Sequence, residues 1–238
     1  MNKKTALITG ASKGIGKAIA LKLASLNYNL VIIGRSSELL DILKSEVESQ
    51  QVKCLKLVVD LEIKDIPEKI MGKVFNHFGH LDVLVNNAGL SYSGSIIDTH
   101  VDVWDRIMNV NARAPFFLCK AAIPVLKKSS NPVIINIGSV VDFKGYKNQA
   151  AYTASKHALS GFTKVLAKEV QNDGIKVHLI SPGGVNTEMV REMRPDIDTE
   201  QLIQPEEIAD IIEFIVTRKG KGTIDHLYIR RQSGRAFD

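Results

Sequence analysis

An α/β fold is what this 238-residue sequence predicts: a doubly wound parallel sheet of about seven strands with helices on both faces. Three observations carry that reading. Short runs rich in β-branched residues recur along the chain, they are apolar almost throughout, and stretches of helical periodicity separate them. A strand apolar on both sides belongs in a sheet covered on both sides, and strand–helix alternation with right-handed crossovers makes that sheet parallel.

The first run, TALIT (5–9), passes through a glycine-rich turn into GIGKAIALKLASL, where Ile15, Ala18, Ile19, Leu23 and Leu26 share one helical face. LVII (30–33) is the second strand. SSELLDILKSEVES then reads as a helix with Ser36 or Ser37 available as its N-cap. CLKLVV (54–59), DVLVN (82–86), VIINIG (133–138) and KVHLIS (176–181) are further strands, and TIDHLYIRR (223–231) supplies the last. AAYTASKHALSGFTKVLAKEV (150–170) holds alanines and leucines at helical spacing without a proline, so it reads as a helix. The longest irregular stretch, about 183–204, is read as a substrate loop. No linker, repeat or low-complexity segment interrupts the chain, so residues 1–238 form a single domain.

Composition narrows the function classes. A hydrophobic fraction of 45% with 24% charged residues is that of a globular protein with a sizeable core. The net charge of +5 comes from 31 basic and 26 acidic residues without a run of like charges, which argues against a nucleic-acid partner. Two cysteines, Cys54 and Cys119, make neither a disulfide framework nor a zinc site, and the six histidines lack ligand spacing, so no metal is expected. MNKK runs at once into TALIT without the pattern of a signal peptide, and no run of eighteen apolar residues is present. A cytoplasmic protein with no membrane partner is the expectation.

ITGASKGIG (8–16) lies between the first strand and the first helix. Glycines at 10, 14 and 16 permit a tight turn and let backbone N–H groups approach a pyrophosphate at the helix N-terminus. In a strand–turn–helix context this favours a dinucleotide on a Rossmann fold. The second strand ends VIIGRSS: Gly34 stands where an acid would accept a ribose 2′-hydroxyl, and Arg35 follows. The guanidinium fork of Arg35, with Lys13 near it, suits a 2′-phosphate and so NADP(H) over NAD(H). As a loop residue, Arg35 has the alternative of simply facing solvent. Tyr152 and Lys156, one helical turn apart, read on their own most simply as a core aromatic beside a lysine that snorkels to water.

The motifs taken together resemble those of the short-chain dehydrogenase/reductase family, and the resemblance covers nearly the whole chain. TGASKGIG resembles that family's cofactor turn, NNAG (86–89) its next signature, and NVNARAPFF carries Asn111 at the catalytic asparagine. INIGSVV carries Ser139, Tyr152 and Lys156 follow at the family's spacing, and SPGGVNTEM matches P-G-x-V-x-T through Pro182, Gly183, Val185 and Thr187. The resemblance implies a catalytic set of Asn111, Ser139, Tyr152 and Lys156. It implies a cofactor site of Thr9, Gly10, Ser12, Lys13, Gly14, Ile15, Gly16, Arg35, Asp60, Leu61, Asn87, Ala88, Gly89, Tyr152, Lys156, Pro182, Gly183, Val185 and Thr187. Asp60 would meet the adenine, with a helix N-cap as its alternative role, and Asn86 would tie strands together.

In that reading Tyr152 gives its proton to a developing alkoxide, Ser139 hydrogen-bonds the same oxygen, and Asn111 supports a water linking Lys156 to solvent. The Lys156 ammonium is expected to lower the Tyr152 pKa. The implied activity is interconversion of a small carbonyl compound and a secondary alcohol. A 3-oxoacyl-thioester reductase is the runner-up, its acidic acyl carrier protein met by Lys127 and Lys128, and a non-catalytic NADPH sensor is the alternative outside the enzymes. Tyr92, Phe143, Tyr146 and Met189 are candidate apolar walls, with Arg191 and Arg194 at the entrance. The ending IDHLYIRRQSGRAFD departs from the V-D-G-G type of 3-oxoacyl reductases. The helices bearing Phe116, Phe117 and residues 150–170 are expected to pair subunits in a homodimer or homotetramer.

Overall fold

β1 (Thr5–Thr9) is buried along its whole length, and alternate side chains enter two different cores. Ala6 and Ile8 join one cluster and Leu7 the other, as the twofold period of a strand requires. A computed structural model describes residues 3–193 and 197–235. After β1 come α1 (Gly14–Ser25), β2 (Asn29–Gly34), α2 (Ser37–Glu48), β3 (Cys54–Val58), α3 (Ile66–Phe78), β4 (Val83–Asn86) and α4 (Val101–Met108). A π-helical turn (Asn109–Arg113) joins α4 to α5 (Ala114–Leu126), and β5 (Val133–Ile137) leads through a 3-10 turn (Val140–Asp142) to α6 (Ala150–Glu169). β6 (Lys176–Pro182), α7 (Glu188–Met193), α8 (Pro205–Thr217) and β7 (His226–Ile229) complete the order.

The strands form one seven-stranded parallel sheet in the order β3-β2-β1-β4-β5-β6-β7. One face packs under α1, α2 and α8 through Ile8, Ile32, Val85, Ile135, Leu23, Leu40 and Ile212. The other packs under α3, α5 and α6 through Leu7, Val31, Leu84, Ile134, Val74, Leu118 and Leu166. Local signals start the helices: the Ser36 hydroxyl accepts the Leu39 N–H at 3.3 Å, and Pro205 opens α8 behind a Gln204/Glu207 capping box. The order reverses between β1, which pairs with β2 on one side, and β4 on its other side. At such a switch point a crevice opens outside the carboxyl ends of the strands.

Two expectations are corrected. The segment 183–204 is not loop throughout, since α7 and a 3-10 turn (Thr199–Gln201) lie within it. The last strand is shorter than the 223–231 run, pairing with β6 only from His226 to Ile229.

Candidate active site

A cleft of about 1100 Å³ lies over that end of the sheet. At one end stand the glycine turn and Arg35, and at the other Ser139, Tyr152, Lys156 and the Pro182–Thr187 turn. Such a volume exceeds what a drug-sized ligand fills and suits a dinucleotide with a small substrate beside it.

The turn is tight at three glycines. Gly10 and Gly14 have φ of +63° and +56°, where a side chain is strained. A Cβ on Gly16 would lie 2.2 Å from the Gly10 carbonyl oxygen, so only glycine lets α1 begin this close to β1. Lys13, the N-cap of α1, offers no side-chain acceptor and the first turn carries no acid, so the first N–H groups of α1 have no side-chain cap beside the cleft. Thr9 and Gly16 are buried behind the wall rather than on it. The Thr9 hydroxyl accepts from Asn87 N and Ala88 N, each at 3.0 Å, and Asn87 Nδ2 donates to the Thr9 and Gly10 carbonyls at 3.0 and 3.1 Å. Thr9 and Asn87 therefore lock the glycine turn to the segment after β4. Asn86 ties β4 to β5 through Asn136 at 2.8 Å.

Arg35 stands exposed at the end of β2, with Gly34 before it packed 3.3 Å from Ser12 Oγ at the position of an added Cβ. Lys13 pairs with Glu188 across the cleft, so its charge is already engaged. Asp60 lines the cleft and its carboxylate accepts the Glu62 N–H at 3.0 Å; the N-cap of α3 is Asp65, not Asp60. Ser12, Ile15, Leu61, Ala88, Gly89, Pro182, Gly183, Val185 and Thr187 all line the same cleft.

At the other end α6 presents Tyr152 and Lys156 one turn apart, 8% and 4% exposed. Lys156 Nζ donates to the Ile137 carbonyl at 2.8 Å and lies 6.0 Å from the Tyr152 ring centre. The expected lowering of the Tyr152 pKa is reversed here. Burial pushes its phenol up to about 12, opposed by the Ser139 hydroxyl and reinforced by the Asp142 carboxylate. Burial also brings Lys156 down to about 8, against the pull of Asp142. Desolvation is the largest influence on both groups, as burial in apolar surroundings disfavours each charged form.

Ser139 is set by the turn it caps. Its backbone N–H donates to Asp142 Oδ2 at 3.0 Å and its hydroxyl accepts from Val141 N at 3.4 Å. Sequence reading missed Asp142, which is buried, accepts from the Ser181 hydroxyl and leaves Oδ1 without a partner. Ser181 Oγ also meets His226 Nε2 at 2.7 Å. Burial raises the Asp142 pKa, opposed by Ser181, the Ser139 N–H, Lys156 and His226. A Cβ on Gly138 would fall 2.1 Å from Asp142 Oδ2, so that glycine makes room for the carboxylate.

Asn111 sits in the π-helical turn, 1% exposed, behind the wall. Its Nδ2 donates to the Leu90 carbonyl at 2.8 Å and to Ser155 Oγ at 3.0 Å, while Oδ1 accepts from Leu90 N at 2.7 Å. A Cβ on Gly89 would lie 3.5 Å from Asn111 Oδ1 and 3.8 Å from Lys156 Nζ, so that glycine is flanked by both. Of the candidate apolar walls, Tyr146 and Met189 line the cleft and Tyr92 and Phe143 do not. Phe143 packs instead on Tyr228, ring centres 5.0 Å apart. Arg191 is exposed at the cleft, and Arg194 lies outside the described residues. Among the described residues no three His, Cys, Asp or Glu side chains are grouped for a metal.

Comparison with known proteins agrees with this geometry. A family model described as short chain dehydrogenase matches residues 4–198. An uncharacterised oxidoreductase of Staphylococcus epidermidis is 35% identical over 231 residues, 97% of this chain and 98% of the relative. A 3-oxoacyl-[acyl-carrier-protein] reductase of Thermotoga maritima is 33% identical over 223 residues, 90% of each chain. A metagenomic short-chain oxidoreductase solved in complex with NADP superposes with a TM-score of 0.85 at 31% identity, covering 96% of this chain and 97% of that one. The chain belongs to the short-chain dehydrogenase/reductase family, a family of oxidoreductases.

Proposed function

We propose that the protein is an NADP(H)-dependent oxidoreductase that interconverts a carbonyl and a secondary alcohol, with Tyr152 as its general acid. The observation that carries this is the meeting of Ser139, Tyr152 and Lys156 on one wall of the cleft. Gly10, Gly14 and the first turn of α1 would hold the pyrophosphate, Arg35 the 2′-phosphate, Asp60 the adenine, and Lys156 and the Pro182–Thr187 turn the nicotinamide end. When bound, the cofactor supplies the hydride. Tyr152, held protonated at neutral pH by burial, donates its proton to the carbonyl oxygen as that oxygen gains charge. The Ser139 hydroxyl hydrogen-bonds the same oxygen, and its backbone anchor to Asp142 fixes the approach. Lys156, with its pKa of about 8, carries positive charge at pH 7 near the phenolate that remains. Asn111 braces the turn beside Lys156 through Leu90, and in this reading it supports a water on the proton route.

Residues supporting a homodimer or homotetramer are the exposed apolar side chains Phe116 on α5 and Val165 on α6, 47% and 53% exposed. A 3-oxoacyl-thioester substrate is favoured by the Thermotoga maritima relative alone. The test is oxidation of NADPH and NADH in parallel over diketones, aldehydes, quinones and an acetoacetyl thioester. The expected result is turnover of one carbonyl class with NADPH preferred, and a preference that Arg35→Asp shifts toward NADH by about tenfold or more. Equal use of both cofactors would contradict the assignment of Arg35.

A further inference from the structure

We infer that the substrate carries an oxyanion, a carboxylate or a phosphate, held by arginines of the C-terminal segment at the far end of the cleft. The inference rests on the carbonyl-reductase reading above and names the substrate class of that site.

The position of these arginines follows from the sheet. β7 lies beside β6, and Gly183 N donates to the Ile229 carbonyl at 2.7 Å. The chain leaving β7 therefore runs alongside the Pro182–Gly183 turn. A Cβ on Gly183 would lie 3.6 Å from Arg231 N and 3.7 Å from Arg230 Cα, and one on Gly184 would lie 3.5 Å from Arg231 Cδ. Arg231 thus lays its stem over the turn that borders the catalytic end. The segment beyond is a built turn and not a loose tail. Arg230 Nη1 donates to the carbonyls of Arg231, Gln232 and Gly234 at 3.0, 3.1 and 2.8 Å, and Gly234 N donates to Arg231 O at 3.0 Å. That staple spends Arg230 Nη1 on the backbone, and Arg230, Arg231 and Arg235 all line the cleft.

The charge is not accounted for by the cofactor's 2′-phosphate. In the sheet order β7 is five strand positions from β2, which ends at Arg35. At the usual strand spacing that is roughly 24 Å. The glycine turn comes nearer, with Gly14 against Thr187 and both Ile15 and Ile229 packed on one apolar cluster, but the first-turn N–H groups of α1 are there to take the pyrophosphate. Among the described residues no carboxylate lies within ion-pairing distance of Arg231 or Arg235; on the same wall Glu188 is paired with Lys13, and Glu206 forms no ion pair. Arg231 is half-buried and Arg235 exposed, and a guanidinium selects oxygen anions through paired N–H donors. Tyr146, Met189 and Tyr228 supply the apolar surface for the carbon body between that anion and the reacting carbonyl.

The experiment compares matched substrates that differ in charge: acetoacetate with its methyl ester, and dihydroxyacetone phosphate with dihydroxyacetone, followed by NADPH oxidation. In the wild-type protein kcat/KM for at least one anion is expected to exceed that of its neutral twin by about tenfold or more. The advantage is expected to shrink as ionic strength rises. The pair with the larger ratio identifies the oxyanion. Arg231→Gln and Arg235→Gln, made separately, are expected to bring that ratio toward one through KM. Lys53→Gln, at the opposite end of the sheet, removes a charge without altering it. Neutral twins turned over as well as the anions, or a ratio that survives both arginine substitutions, overturns this inference and leaves the reductase reading standing. Silence of charged and neutral carbonyls alike, with NADPH still bound, takes down both.

Discussion

Around Ser139 three groups from different elements settle one another: the buried Asp142 and Ser181 and the exposed His226. Asp142 is raised in pKa by burial, so the folded protein binds its proton more tightly than the unfolded chain does. The stabilisation that this gives is fully present below the ordinary Asp pKa and is lost as pH rises through the raised one. Asp142→Asn keeps an acceptor for the Ser139 N–H and cannot ionise. Relative to this variant, the wild-type protein is expected to lose thermal stability as pH climbs from acid toward neutral. Melting curves of both proteins across that range check the sign, and parallel curves would contradict it. None of this was legible in the sequence, because Asp142, Ser181 and His226 share no spacing motif. Tyr152 and Lys156 were legible as a pair, but not their electrostatics: burial depends on what covers α6, and the Ile137 carbonyl that takes the lysine belongs to β5.

Elements were readable where local pattern and tertiary need agree. β1, β2, β4 and β5 are apolar on both sides because both sides are covered, and their edges fell within a residue or so of the runs that predicted them. The kink at Asn109–Arg113 was not readable, since the sequence continues as helix and the extra residue in the turn is held by Asn111 bonding to Leu90 and Ser155. α7 was hidden for another reason: six residues are too few to establish a helical period. The glycine turn carries a prediction at this scale. In Gly16→Ala the new methyl group meets the backbone of Gly10, so α1 must shift away from β1. A loss of about 1–3 kcal/mol in chemical denaturation is expected, together with weaker NADPH binding. A fully stable variant with unchanged affinity would contradict the packing argument.

At the scale of the whole molecule, one cleft runs from Arg35 after β2 to the arginines after β7, and the switch point between β1 and β4 lies between them. No helix among the described residues is long and apolar enough to cross a membrane. The exposed Phe116 stacks edge-on against Phe162 of α6 at 5.6 Å, leaving an apolar α5–α6 face near Val165. Burial of that face between copies is expected to give a light-scattering mass two or four times that of one chain. A monomer at micromolar concentration would contradict the pairing. The departure of the C-terminal sequence was visible from IRRQSGR alone, whereas its meaning needed the register that lays Arg231 over Gly184.

The most direct test of the central claim is the Tyr152→Phe variant, measured for NADPH affinity by fluorescence and for carbonyl reduction under the same conditions. The account predicts near-native binding with kcat lower by about 10²–10⁴-fold. Turnover at the wild-type rate with the hydroxyl gone would contradict it.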